Sequence, residues 1–139
     1  MRSDKSRICA LGLVIALGLA GCASSGSASA PIAITDLSSV AGKWVGLLEM
    51  ASARDREDYL EVTIARDGTY RAEAARTIGV MDVRGTVKVA DGRLLIQGER
   101  GGKGTATLFS QPGQPSRLLQ VNGTAADGRP YIVRLRPQS

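Results

Sequence analysis

Several stretches of this 139-residue chain bring chemically capable side chains close together. The densest is Arg54-Asp55-Arg56-Glu57-Asp58, extended by Glu61. Carboxylates set this close can exchange protons or ligate calcium. Arginines interleave them, however, and the spacing fits no calcium loop, so the stretch reads as a solvated loop between two strands. Gly98-Glu99-Arg100-Gly101-Gly102-Lys103-Gly104-Thr105 has the glycine and lysine content of a phosphate-cradling loop. Its register fails: the first required glycine falls on Gln97, and Lys103 is followed by glycine rather than Ser or Thr. It also joins two strands, with no helix N-terminus to offer an anion. It reads as a hairpin turn. Asn122-Gly123-Thr124 has the spacing of a glycosylation acceptor but falls inside a strand pattern. A Ser–Lys dyad would use Lys43, Lys88 or Lys103, none of which sits in a recognisable companion motif.

Composition narrows the field further. The chain contains no histidine, which removes histidine-based triads, His-ligated zinc and histidine proton shuttles. Aromatic residues make up 4% of it, too few for a base-stacking platform on single-stranded nucleic acid. The expectation is a noncatalytic protein with no catalytic residues, no cofactor, no metal and no nucleic-acid partner. A length of 139 residues allows one small domain.

Arg2, Lys5 and Arg7 precede an apolar run from Ile8 to Ala20. At about 13 residues this run falls short of the roughly 20 that a spanning helix needs, and it has the proportions of a secretory h-region. It ends in Leu19-Ala20-Gly21-Cys22, which resembles the bacterial lipobox residue for residue. The resemblance implies cleavage before Cys22, diacylation of its thiol and firm anchoring by several acyl chains. Ala23 follows the cysteine, where an aspartate would disfavour outer-membrane sorting, so the expected location is the outer membrane, lipid-anchored and facing the periplasm. Cys9 would leave with the signal peptide and Cys22 would carry lipid, so no disulfide staples the mature domain. Removing Arg2, Lys5, Arg7 and Asp4 takes the net charge from +5 to +3, which is not a nucleic-acid-binding balance.

The domain plan is therefore a signal peptide over 1–21, a lipidated tether over 22–35 and a folded domain over 36–139. Ala23 to Ala30 reads ASSGSASA, too small and polar to order itself, with a typical reach to Thr35 on the order of 20 Å. Asp36 to Gly42 suits one capped helical turn, with Leu37 and Val40 on one face. Beyond it, short alternating runs separated by glycine turns argue for antiparallel strands. They span Trp44–Met50, Tyr59–Ala65, Thr69–Arg76, Val80–Val89, Arg93–Gly98, Thr105–Ser110, Arg117–Gly123 and Tyr131–Arg136. Arg66-Asp67-Gly68, Asp91-Gly92 and Asp127-Gly128 make hairpin turns. An all-β, antiparallel, up-and-down eight-strand barrel leaves no edge exposed and is the expected fold, with a sandwich as the alternative.

A helical turn leading into Gly42-Lys43-Trp44 at the first strand of such a meander resembles the lipocalins and their calycin relatives. A similar barrel, again with a G-x-W-like start, occurs in small lipoproteins of the Inh metalloprotease-inhibitor type. The resemblance implies that Trp44 plugs the closed end and that an arginine of the last strand, Arg134 or Arg136, covers its ring. Inward positions mix Ala72, Ala74, Gly85, Gly98, Ala106 and Gly123 with Leu60, Val62, Ile64, Val87, Ile96 and Val133. Small residues can leave room for a ligand or let the barrel narrow around a solid core, and the short domain favours the solid core. The leading functional reading is a lipid-anchored envelope module, held to the membrane through acylated Cys22, that engages an envelope protein or polymer through its loops. The alternatives are a carrier of a small hydrophobic ligand and an inhibitor of a periplasmic hydrolase.

Overall fold

The structure, a computed structural model, describes residues 29–50, 57–76, 79–112 and 117–139. Leu19, Ala20, Gly21 and Cys22, with the rest of the expected signal peptide, lie outside the described residues, as do Arg54, Asp55 and Arg56. Alternation of apolar and polar side chains produces eight strands where the sequence places them, within a residue or two at each end, and a ninth forms at Ala30–Ile32. In chain order they are β1 (Ala30–Ile32), β2 (Gly42–Met50), β3 (Glu57–Ile64), β4 (Thr69–Arg76), β5 (Gly79–Ala90), β6 (Arg93–Gly98), β7 (Lys103–Ser110), β8 (Arg117–Thr124) and β9 (Pro130–Pro137).

From β2 to β9 each strand pairs antiparallel with the next, and β9 returns to β2 with Val45 opposite Arg136 and Met50 opposite Tyr131. The result is a closed eight-strand up-and-down barrel, so the ladder between β2 and β9 consumes the donors and acceptors an open sheet would expose. The Asp91-Gly92 hairpin shows the local chemistry of closure. Its φ values of 51° and 72° are the positive pair a two-residue turn of matching twist requires.

Closing so short a barrel also demands sharp bends. Gly85 pairs with Tyr70 on one side and Gly98 on the other, at the point where β5 passes from β4 to β6. A Cβ at position 85 would stand 2.1 Å from the Gln97 carbonyl oxygen, so the strands approach this closely only at glycine.

One end of the barrel is sealed. Asp36 caps a 3-10 turn at Leu37–Ser39 by accepting from the Ser38 amide at 2.8 Å. Ile34 and Val40, flanking it, are buried with Trp44 beneath. The Ile34 amide bonds the Gly92 carbonyl at 2.9 Å, tying this cap to the β5–β6 turn.

The sealed end also corrects the expected tether. The tether is expected to run to Thr35, but Ala30–Ile32 forms β1, pairing with β7 from Ala30 opposite Ser110 to Ile32 opposite Leu108. The physical reason is a vacancy on the β7 ladder: β6 reaches only to Leu94 opposite Ala106, and β1 takes the β7 edge beyond it. Among the described residues, all nine strands, the cap and the buried core cluster lie between Ala30 and Pro137, so residues 30–139 carry that hydrophobic core between them.

Candidate functional site: an apolar lumen

The inward side chains form one buried cluster but do not fill the barrel to its open end. They enclose a cavity of about 360 Å³, lined by residues such as Leu48, Leu60, Val62, Val87, Ile96 and Val121. Packed interiors hold few voids larger than a water molecule, so a space of this size is more than a packing defect. It overturns the expectation of a solid core. Ala72, Ala74 and Ala106 do face inward and are buried, but the barrel does not narrow enough to fill the space they leave.

The cavity opens away from the cap. Its rim is built from the β6–β7 hairpin, through Arg100 and Gly102, and the β8–β9 hairpin, through Ala125, Ala126, Asp127 and Arg129. Arg129 is held by Asp127, with guanidinium to carboxylate distances of 2.6 to 2.7 Å. That pairing holds the Asp127 carboxyl below its ordinary range, the side-chain bond from Arg129 contributing most. Arg100 has no ion-pair partner among the described residues.

Two polar groups interrupt the apolar wall, the phenols of Tyr70 and Tyr131. Each extends over glycines of the next two strands. A Cβ at Gly85 would lie 2.7 Å from Tyr70 Cε1, and one at Gly123 would lie 2.5 Å from Tyr131 Cζ. Burial, the neighbouring Tyr131 and then Glu99 push the Tyr70 hydroxyl up to about 12. Burial likewise raises Tyr131. Both phenols therefore keep their protons and remain donors across the physiological range. No charged or polar residue is fully buried among the described residues.

Trp44 sits at the base. It is 2% exposed, and its indole N–H donates to the Val40 carbonyl at 2.8 Å. The expected arginine cover is not there. Side chains alternate across a strand, and Val133 and Leu135 point inward, which puts Arg134 and Arg136 on the outer wall. Arg134 lies opposite Leu47 and pairs with Glu49, while Arg136 lies opposite Val45. The arginine serving the closed end is Arg117, at the start of β8, which donates to the Ser39 carbonyl at 2.9 Å and straps the cap to the wall. Sequence reading missed it because nothing in the strand alternation ties residue 117 to residue 39.

The remaining candidates disperse. Glu61 faces outward and pairs with Lys43 at 3.4 Å. The Gly98–Thr105 stretch is a hairpin turn whose amides close on itself, Gly98 N–H reaching the Gly102 carbonyl at 2.7 Å. Asn122 is exposed within β8, opposite Thr105. No group of three or more metal-ligating side chains converges among the described residues. Outside, Arg71 bridges Glu73 and Asp82 at 2.7 and 2.9 Å, and Arg84 adds to Asp82 at 3.4 Å. The Arg71 guanidinium, bonded to Asp82, holds that carboxyl below its ordinary range.

None of the protein-family models, curated proteins or solved structures compared with this chain matches it.

Proposed function

We propose that the chain is a lipid-anchored envelope protein whose lipocalin-like barrel carries a small hydrophobic ligand. The observation that supports this most strongly is the lumen of about 360 Å³, walled almost wholly by apolar side chains and open at one end. Small-molecule sites are concave, mainly apolar and roughly 300–1,000 Å³ in volume, with a few placed polar groups. A ligand entering such a wall gains roughly 25 cal/mol for each Å² of apolar surface withdrawn from water. A module acting through its loops alone, or an inhibitor acting through an inserted segment, needs no hollow barrel.

The anchor rests on Leu19-Ala20-Gly21-Cys22 and its preceding basic and apolar segments. Acylated Cys22 would hold the protein on the outer membrane, facing the periplasm. Ala30 enters the fold opposite Ser110, at the capped end.

Residues 30–139, purified without detergent, should bind the fluorescent probe N-phenyl-1-naphthylamine saturably. Ala72→Phe, which projects a ring from a buried wall position, should weaken that binding at least tenfold while circular dichroism shows the barrel intact. A folded wild-type domain that gives no saturable signal refutes the carrier reading.

A further inference from the structure

The carboxylates borne by the barrel strands all stand on one half of it. Glu49, Glu57, Asp58, Glu61, Glu73 and Asp82 lie on β2 to β5, and β6 to β9 carry none. Cations are not divided in this way, since Arg93, Lys103, Arg117, Arg134 and Arg136 stand on β6 to β9. Arg117 is occupied by the Ser39 carbonyl and Arg134 by Glu49. Arg93, Lys103 and Arg136 have no ion-pair partner among the described residues. The carboxylates of this half stand in its turns, at Asp91, Glu99 and Asp127, and Asp127 is paired with Arg129.

The centre of this wall is β7. Ala106 and Leu108 point into the barrel, so Lys103, Thr105, Thr107 and Phe109 face out. The register sets Leu95 of β6 opposite Thr105, with Lys88 of β5 on its other side. Leu95 is 48% exposed. Further along, Pro31 of β1 and Leu118 of β8 flank Phe109, which makes one apolar row across three strands. The outward positions beside that row on β8, Gln120 and Asn122, are uncharged. The strip therefore presents apolar side chains framed by Lys and Arg. This is the composition of faces that lie in the boundary of a bilayer, where apolar groups enter the headgroup layer and cations meet lipid phosphates.

The course of the chain argues for a bilayer over another acidic partner. β1 belongs to this strip, so the segment running back to Leu19-Ala20-Gly21-Cys22 leaves the barrel from it. Cys22 and Ala30 are eight residues apart, a span of about 28 Å at full extension. An acyl anchor at Cys22 keeps the strip within that distance of the membrane.

We infer that the outer face of β7 and its neighbours docks on an anionic phospholipid surface. Lys88, Arg93 and Lys103 meet the phosphates, and Leu95, Phe109 and Leu118 enter the headgroup boundary. The inference takes its direction of approach from the anchor reading and makes no use of the lumen.

The test is sedimentation of residues 23–139 with sucrose-loaded vesicles in about 0.05 M salt, where charge screening is weak. This chain keeps every described element and lacks Cys22. The vesicles are phosphatidylcholine alone, or a seven-to-three mixture with phosphatidylglycerol. Each basic residue at an anionic surface is worth about fivefold in affinity, so the mixed vesicles are expected to bind at least tenfold more tightly than the neutral ones. Arg93→Glu with Lys103→Glu, both at exposed positions, should abolish that difference, and Leu95→Asn should weaken binding to the mixed vesicles severalfold. Lys43→Glu with Arg66→Glu makes the same change in net charge on the other half of the barrel and should stay within twofold of wild type. Circular dichroism checks that each variant is folded. Equal binding to both vesicles, binding to neither, or equal losses in the two double variants overturns the docking face. Capture of soluble dextran sulfate without binding to either vesicle reassigns the strip to an anionic polymer and overturns it as well. Probe binding in the lumen and palmitate labelling of Cys22 are separate readouts, so the carrier and anchor readings fail or stand independently of this one.

Discussion

Tyr131 occupies the space a side chain at Gly123 would need, its Cζ and hydroxyl both 2.5 Å from the position of a Cβ there. The Lys103 carbonyl, 2.7 Å away, closes the remaining side. Gly123→Ala must therefore move either the ring or the backbone of β7. Overpacking of this kind costs about 1–3 kcal/mol. Gly102→Ala, whose nearest neighbour would be 3.4 Å away, should be close to neutral. Urea midpoints of the two variants check the contrast. Equal midpoints would mean that the ring has another place to go.

Trp44 seals the base with one hydrogen bond and a large buried ring. Trp44→Ala should destabilise the domain by about 3–5 kcal/mol. Trp44→Phe fills much of the volume but leaves the Val40 carbonyl without its indole partner, a loss of about 1–3 kcal/mol. Denaturant unfolding ranks the two. If Phe were as stable as Trp, the bond to Val40 would contribute nothing.

Arg134 provides the counter-test. On the outer wall, half exposed and paired with Glu49, it should contribute less than about 1 kcal/mol. Arg134→Gln is expected to unfold at nearly the wild-type midpoint and to leave Trp44 fluorescence unchanged. A large loss, or a shifted emission maximum, would restore it as a cover for the indole.

Stability should fall at high pH for a specific reason. Tyr70 has an ordinary pKa near 10.0 and sits at about 12 in the fold. Between those values the unfolded chain releases a proton that the barrel retains, so the folded state binds more protons and loses stability as pH rises. The contribution is complete below pH 10 and gone above about 12. Tyr70→Phe should flatten the decline between pH 10 and 11.5 in thermal melts. A decline unchanged by that substitution would assign it to other groups.

The strands were legible because their information is local. Leu60, Val62 and Ile64 alternate with exposed neighbours, and Asp-Gly pairs mark the turns between runs. The same alternation, which puts Val133 and Leu135 on one face, already excluded Arg134 and Arg136 from the lumen, and the implied cover failed on that parity. The first strand was hidden because Ala30-Pro31-Ile32 is short and follows a run of small residues. Its signal was the apolar spacing of Ile32 and Ile34, of which Ile34 is buried. The cavity could not be read at all from composition. Ala72, Gly85 and Gly98 fit a narrow solid barrel as well as a hollow one, and barrel width depends on stagger between strands. The Tyr–Gly–Gly alignments are likewise a property of register: residues 70, 85 and 98 are brought into one row only by the pairing of β4, β5 and β6.

The central claim is that the lumen holds a hydrophobic ligand. Native mass spectrometry of residues 30–139, exported to the periplasm and purified without detergent, tests it most directly, with solvent extraction of the same sample to identify any passenger. The account predicts a near-stoichiometric added mass of lipid size that disappears on extraction and is lost in Ala72→Phe. A bare mass that stays unchanged after incubation with envelope lipids would contradict it.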